Sequence, residues 1–224
     1  MTMTIAPTAQ TFMPTGTVYG TLLNFKAELA ALQPQMNQPP YKAPPQAPVL
    51  YVKPANTWSA NGADIVVPTR VPDVEIGATI AMVVCSGLNR PIRFVLMNDF
   101  SIPHNSFFRP PVKFKCLDGF LGIGSQTIET DRPQDFKLEV RLNGDLVQSL
   151  DFSQLVRPAS QLLADVSEFM TLHDGDVLMM GCDCLSSGKR PLAKVGDVIA
   201  ISSPNHSALG TLSNTLVALI EEAA

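Results

Sequence analysis

Charge is scarce in this chain of 224 residues: Lys, Arg, Asp and Glu together make up 16%, and no run of Lys or Arg exceeds two. With a formal net charge of -4 there is no basic face for a phosphate backbone, so no nucleic acid is expected as a partner. Long apolar runs are missing as well. The longest, IAMVVC from Ile80, falls far short of the roughly 20 residues that a membrane helix needs. The N-terminus lacks a charged segment followed by an apolar one, so no membrane partner and a cytoplasmic location are the expectations. Cysteine is limited to Cys85, Cys116, Cys182 and Cys184. Without C-x-x-C spacing these signal neither a zinc site nor a disulfide framework, and they read as reduced thiols in or near a core.

Apolar residues are plentiful. At 46% hydrophobic, the chain can bury a sizeable core and is not disordered throughout. Residues 1–16 carry Thr and Pro without periodicity and read as a loose tail, which leaves 17–224 as a single domain. TVYGTLLNF reads as a strand running into a short helix, in which Phe25, Leu29 and Leu32 share a face and Pro34 is the stop. The proline-dense PQMNQPPYKAPPQAP forbids helix, and VLYVKP, DIVVP and ATIAMVVC follow as strands. DFKLEVRLNGDLVQSLDF alternates about Asn143-Gly144, a strong hairpin cue. RPASQLLADVSEFMTL places Ala159, Leu162, Leu163, Val166, Phe169 and Met170 on one helical face. VLMMG and two short strands near the C-terminus complete the pattern. The fold class is α+β, a β-rich mixed-sheet roll with two or three short helices.

One stretch breaks the separation of charge from core. MNDFSIPHNSFFRPPVKFKCLDGFLGIG, from Met97, sets Asp99, His104, Arg109, Lys115 and Asp118 among Phe, Ile, Val and Leu. Burying an ion costs several kcal/mol unless it is paired or meets a metal or charged ligand, so the stretch reads as a site. Asp99 is either a ligand or the cap of a strand-end turn. Lys115 either binds an anion or pairs with Asp118. His104 and His206 read as loop residues, His173 as the complement of a helix C-terminus, and Cys182 and Cys184 as packing.

PPYKAPPQAPVLYVKPANT, NDFSIPHNSFFRPPVKFKCLDGFLGIG, the Asn-Gly hairpin and SEFMTLHDGDVLMMG together resemble the fumarylacetoacetate hydrolase family. Within it they look like the N-terminal half of the two-half members of homoprotocatechuate (4-hydroxyphenylacetate) catabolism. The resemblance implies a β-rich roll of the fumarylacetoacetate hydrolase type and small dicarboxylic or tricarboxylic oxo-acids as substrates. It also implies a divalent cation, Mg²⁺ or Mn²⁺, that steadies an enolate. Asp99 matches one carboxylate of the family's metal site. The E-x-E pair that should accompany it is replaced by Gly77 and Thr79. The family's H-x-x-E pair corresponds to Glu28 and Ala31, and its T-G-T-P turn to Met180-Gly181-Cys182-Asp183. Asp73 and Glu75 form another carboxylate pair, but four residues of strand displace it by about 13 Å.

The same resemblance makes Lys115, Asp118 and Glu28 the candidate catalytic residues, and Lys53 and Arg109 the candidate substrate-binding ones, since Arg clamps a carboxylate and Lys supplies a point charge. Three functions are then open. The first is a 2-hydroxyhepta-2,4-diene-1,7-dioate isomerase or 5-oxopent-3-ene-1,2,5-tricarboxylate decarboxylase subunit working through an enolate. The second is a catalytically depleted partner of a metal-competent homologue, in a homo- or hetero-oligomer. The third is a dicarboxylate-binding module without turnover.

Overall fold

A computed structural model of the chain describes residues 11–85, 92–104 and 111–219. Seven strands form a mixed sheet in the order Val49–Lys53, Val18–Leu22, Val177–Met179, Ala78–Val83, Arg93–Asp99, Leu121–Glu129, Trp58–Ala60. Five more form a second sheet, in the order Asp145–Asp151, Lys137–Leu142, Val198–Ser202, Thr211–Ala218, Asp64–Val67. The short strand Leu192–Ala193 pairs with Val74–Glu75. Pairing is mostly antiparallel, with parallel exceptions such as Val18–Leu22 beside Val177–Met179. The architecture is the expected α+β roll, a curled mixed-sheet half-barrel with, among the described residues, three α-helices, Lys26–Leu32, Val112–Lys115 and Ala159–Ser167.

Burial explains the order of the large sheet. All six residues of Ala78–Val83 are buried, as a strand packed on both faces requires. Ile80 and Met82 point into the core shared with the second sheet, whereas Ala81 and Val83 point into a cluster capped by Leu23, Leu32 and Met36. Alternation of period two thus puts one strand in two cores. The hairpin turns through Asn143 and Gly144, at φ 53° and 94°, the type I′ geometry that Asn-Gly favours.

Three features differ from the sequence reading. The third helix buries Ala159, Leu162 and Val166 as expected but closes at Ser167, so Phe169 leaves the apolar face and is 57% exposed. Residues 12–16, read as part of a loose tail, dock on the body: the Phe12 N–H donates to the Ser125 carbonyl at 2.9 Å, and that of Gly16 to Gly175 at 3.0 Å. Leu121–Glu129 is a nine-residue strand that the sequence reading did not assign. A side chain at Gly122 would begin 2.3 Å from the Asn214 side-chain oxygen, so this glycine admits a close approach.

A candidate active-site cleft with a neutralised carboxylate

The sheet and a single helical turn bring charges together from three directions. Asp99 ends the inner strand Arg93–Asp99, Lys53 ends the edge strand Val49–Lys53, and Lys115 closes the turn Val112–Lys115. All three are fully buried. The Lys115 Nζ lies 2.5 Å from Asp99 Oδ2, and the Lys53 Nζ lies 2.9 Å from Oδ1. The Lys53 ammonium donates its hydrogens elsewhere, to the carbonyls of Phe100 at 3.2 Å, Lys115 at 2.5 Å and Phe120 at 2.6 Å. Its contact with Asp99 is therefore ionic. Tyr51, on the same strand face as Lys53, donates its hydroxyl to Asp99 Oδ2.

Arg190 joins from a distant loop. Its Nη1 is 3.8 Å from Asp99 Oδ2, and its Nη2 donates to Glu28 Oε1 at 3.2 Å. Glu28 Oε2 in turn accepts the Leu23 N–H at 2.7 Å. Burial would raise the Asp99 carboxyl, but Lys115, then Lys53 and Arg190, outweigh it and hold it well below the usual carboxylate range. Burial prevails at Glu28, raising its carboxyl despite Arg190. Burial also lowers the Lys53 ammonium and pushes the Cys182 thiol up to about 12. Such a thiol is protonated at neutral pH; it is buried, as the sequence suggested, and donates to the Gly77 carbonyl at 3.3 Å.

Above this cluster lies a cleft of about 1100 Å³. Glu28, Ala31, Glu75, His104, Lys115 and Arg190 are among the residues lining it. Both H-x-x-E positions therefore reach the cleft. His104 is not a solvent-facing loop residue: its ring stacks on Phe114 with centroids 4.6 Å apart, and burial lowers its pKa. Lys53 lies beneath the floor and does not line the cleft. Asp118 stands apart. It is exposed and accepts from the Asn56 side chain at 2.6 Å, so Lys115 pairs with Asp99 rather than with Asp118. Arg109 lies outside the described residues.

A model for the fumarylacetoacetate (FAA) hydrolase C-terminal domain matches residues 17–217. The chain belongs to the fumarylacetoacetate hydrolase family. It is 34% identical over 212 residues to a 4-hydroxyphenylacetate degradation bifunctional isomerase/decarboxylase of Salmonella dublin, covering 91% of this chain and 47% of the relative. A protein of the same name from Escherichia coli is 35% identical over 175 residues, covering 74% and 40%. The chain thus spans about half the length of these curated relatives, or less. Solved structures share the fold. A 5-carboxymethyl-2-hydroxymuconate delta-isomerase from Mycobacterium smegmatis superposes with a TM-score of 0.71 at 22% identity, covering 92% of this chain and 80% of that one. A putative family protein from Yersinia pestis gives 0.73 at 18%, covering 91% and 94%.

The divalent cation implied by the family resemblance does not fit the residues present. A Cβ on Gly77 would begin 2.2 Å from the Asp99 carbonyl oxygen, so backbone occupies the space where a glutamate stem would start. Thr79 donates its hydroxyl to the Gly181 carbonyl at 2.6 Å. Asp99, expected as a metal ligand, is instead the counter-ion of buried cations that would repel a dication. Glu75 does reach the cleft, but Asp73 is not among its lining residues. No three His, Cys, Asp or Glu side chains form a metal-sized group among the described residues.

Two members of the site escaped the sequence reading. Tyr51 carried a usable signal, since it lies two residues before Lys53 in a strand and must share its face. Arg190 carried none. It follows the polar loop residues Ser186, Ser187, Gly188 and Lys189, 75 positions beyond Lys115, and only the fold brings it to Asp99.

Proposed function

We propose that this chain is the metal-free partner subunit of an isomerase/decarboxylase assembly that degrades small dicarboxylic or tricarboxylic oxo-acids, as in 4-hydroxyphenylacetate breakdown. A homologue bearing the E-x-E pair carries the metal-dependent enolate step. The observation that supports this most strongly is the double neutralisation of Asp99 by Lys53 and Lys115, with backbone closed against Gly77. A hard dication needs several oxygen ligands, and here it would have to displace two ammonium groups to gain one carboxylate. The relatives' names supply the pathway.

The test is reconstitution. The purified chain supplied with Mg²⁺ or Mn²⁺ is expected to show no isomerase or decarboxylase turnover above background. Mixed with an E-x-E-bearing homologue, it is expected to co-elute with it and raise the rate. Metal-dependent turnover by this chain alone would overturn the proposal. A second reading, dicarboxylate binding without chemistry, is favoured by the presence of Arg190 and Lys115 on an open cleft.

A further inference from the structure

Arg190 has a capacity that the internal network does not use. Its side chain is 9% exposed, and its Nη1 is enclosed without a hydrogen-bond partner among the described residues. The anion nearest Nη1, Asp99 Oδ2, is 3.8 Å away and already receives Lys115 and Tyr51. A buried donor left unbonded is costly, more so when charged, and a native structure that keeps one commonly has a functional reason.

The other cations of the site cannot serve an incoming anion as readily. Lys53 is committed to three carbonyls, and Lys115 is held on Asp99. Arg190 lines the cleft, and its planar fork matches a carboxylate. Glu28 holds Nη2 and is itself fixed by the Leu23 N–H, so the fork is pre-oriented while Nη1 stays available. Lys189, the exposed neighbour on the same wall, places a second positive charge at the rim.

We infer that Arg190 is the anion anchor of the cleft: Nη1 receives one carboxylate of a short dicarboxylate, and Lys189 meets the other. This takes the small-acid ligand class from the function proposed above and assigns its recognition to a residue outside the family motifs. Nη1 is enclosed at rest, so the anion is met by a small outward swing of the guanidinium while Glu28 keeps hold of Nη2.

Glutarate titrated calorimetrically into the whole chain, without metal or homologue, tests this. Arg190→Gln is expected to weaken binding about tenfold or more, as loss of a charge-assisted hydrogen bond implies. Arg190→Lys should lie between that variant and the parent, Lys137→Ala on the second sheet should change nothing, and butyrate should bind more weakly than glutarate. A folded Arg190→Gln variant that binds glutarate as the parent does, or a parent that binds none, overturns the inference. Should the variants unfold, the ¹⁵N signal of the Arg190 guanidinium in the parent decides: it moves on saturation with glutarate, or the inference falls. Because no turnover is read, failed reconstitution with a homologue leaves this result standing, and absent glutarate binding leaves reconstitution standing.

Discussion

Asp99 sits between two buried ammonium groups, and its removal has a defined cost. Asp99→Asn preserves shape but leaves Lys53 and Lys115 facing each other without a counter-ion. Breaking a buried pair in this way costs about 3–5 kcal/mol, and urea denaturation is expected to show a loss of that order. The pH dependence has a sign. The Asp99 carboxyl titrates below its unfolded value because of Lys115, Lys53 and Arg190, so its contribution is complete above about pH 5 and drains away on further acidification. The urea midpoint of the parent should therefore fall as the pH drops from about 5 towards 2, while that of Asp99→Asn stays flatter over the same window. Glu28, raised by burial, acts in the opposite sense and is common to both proteins. Charge among apolar neighbours marked the stretch from Met97, and two of its charges, Asp99 and Lys115, are buried together while Asp118 is exposed. Which acid pairs with Lys115 was not legible: Asp118 is nearer in sequence, but the end of a strand decides for Asp99.

Individual elements were legible where one physical rule dominates. Alternation about Asn143-Gly144 specified the hairpin, and at φ 94° a side chain on Gly144 is strained. Gly144→Ala is expected to cost about 1–2 kcal/mol of stability, measurable by thermal or urea unfolding, with the rest of the fold unchanged. The strand Leu121–Glu129 was missed because Gly122 and Gly124 break its apolar pattern, and their reason, contact with Asn214 and with the Leu96 carbonyl, exists only in three dimensions. The same kind of contact governs the strand Ala78–Val83 and its approach at Gly77. Writing the glutamates back, as Gly77→Glu with Thr79→Glu, is expected to lower stability by about 1–3 kcal/mol through overpacking, with no Mn²⁺ binding regained by calorimetry.

At the scale of the whole molecule, a curled pair of sheets encloses its own positive charges where the family resemblance leads one to expect a metal. Stability should then be indifferent to metal. Chelator should leave the melting temperature unchanged and millimolar Mn²⁺ should not raise it, whereas a protein that binds an ion only when folded gains stability from it. Scanning calorimetry of this chain beside an E-x-E-bearing homologue makes the comparison. The overall architecture was readable because hydrophobic period and turn chemistry agree along most of the sequence. The cleft was only half readable, because Arg190 reaches it through tertiary structure alone.

The carbonyl of Asp99 lying against Gly77 limits what substitution can build there. An absent ligand can ordinarily be supplied by one codon change, but here main chain occupies the space that the ligand's stem would need. Either glutamate arriving singly would meet a closed wall or a lone, already satisfied acid, with no gain for selection to keep. With this backbone in place a glutamate cage is not one substitution away, and a new ligand is reached more readily through Arg190 and Lys189 on the cleft wall.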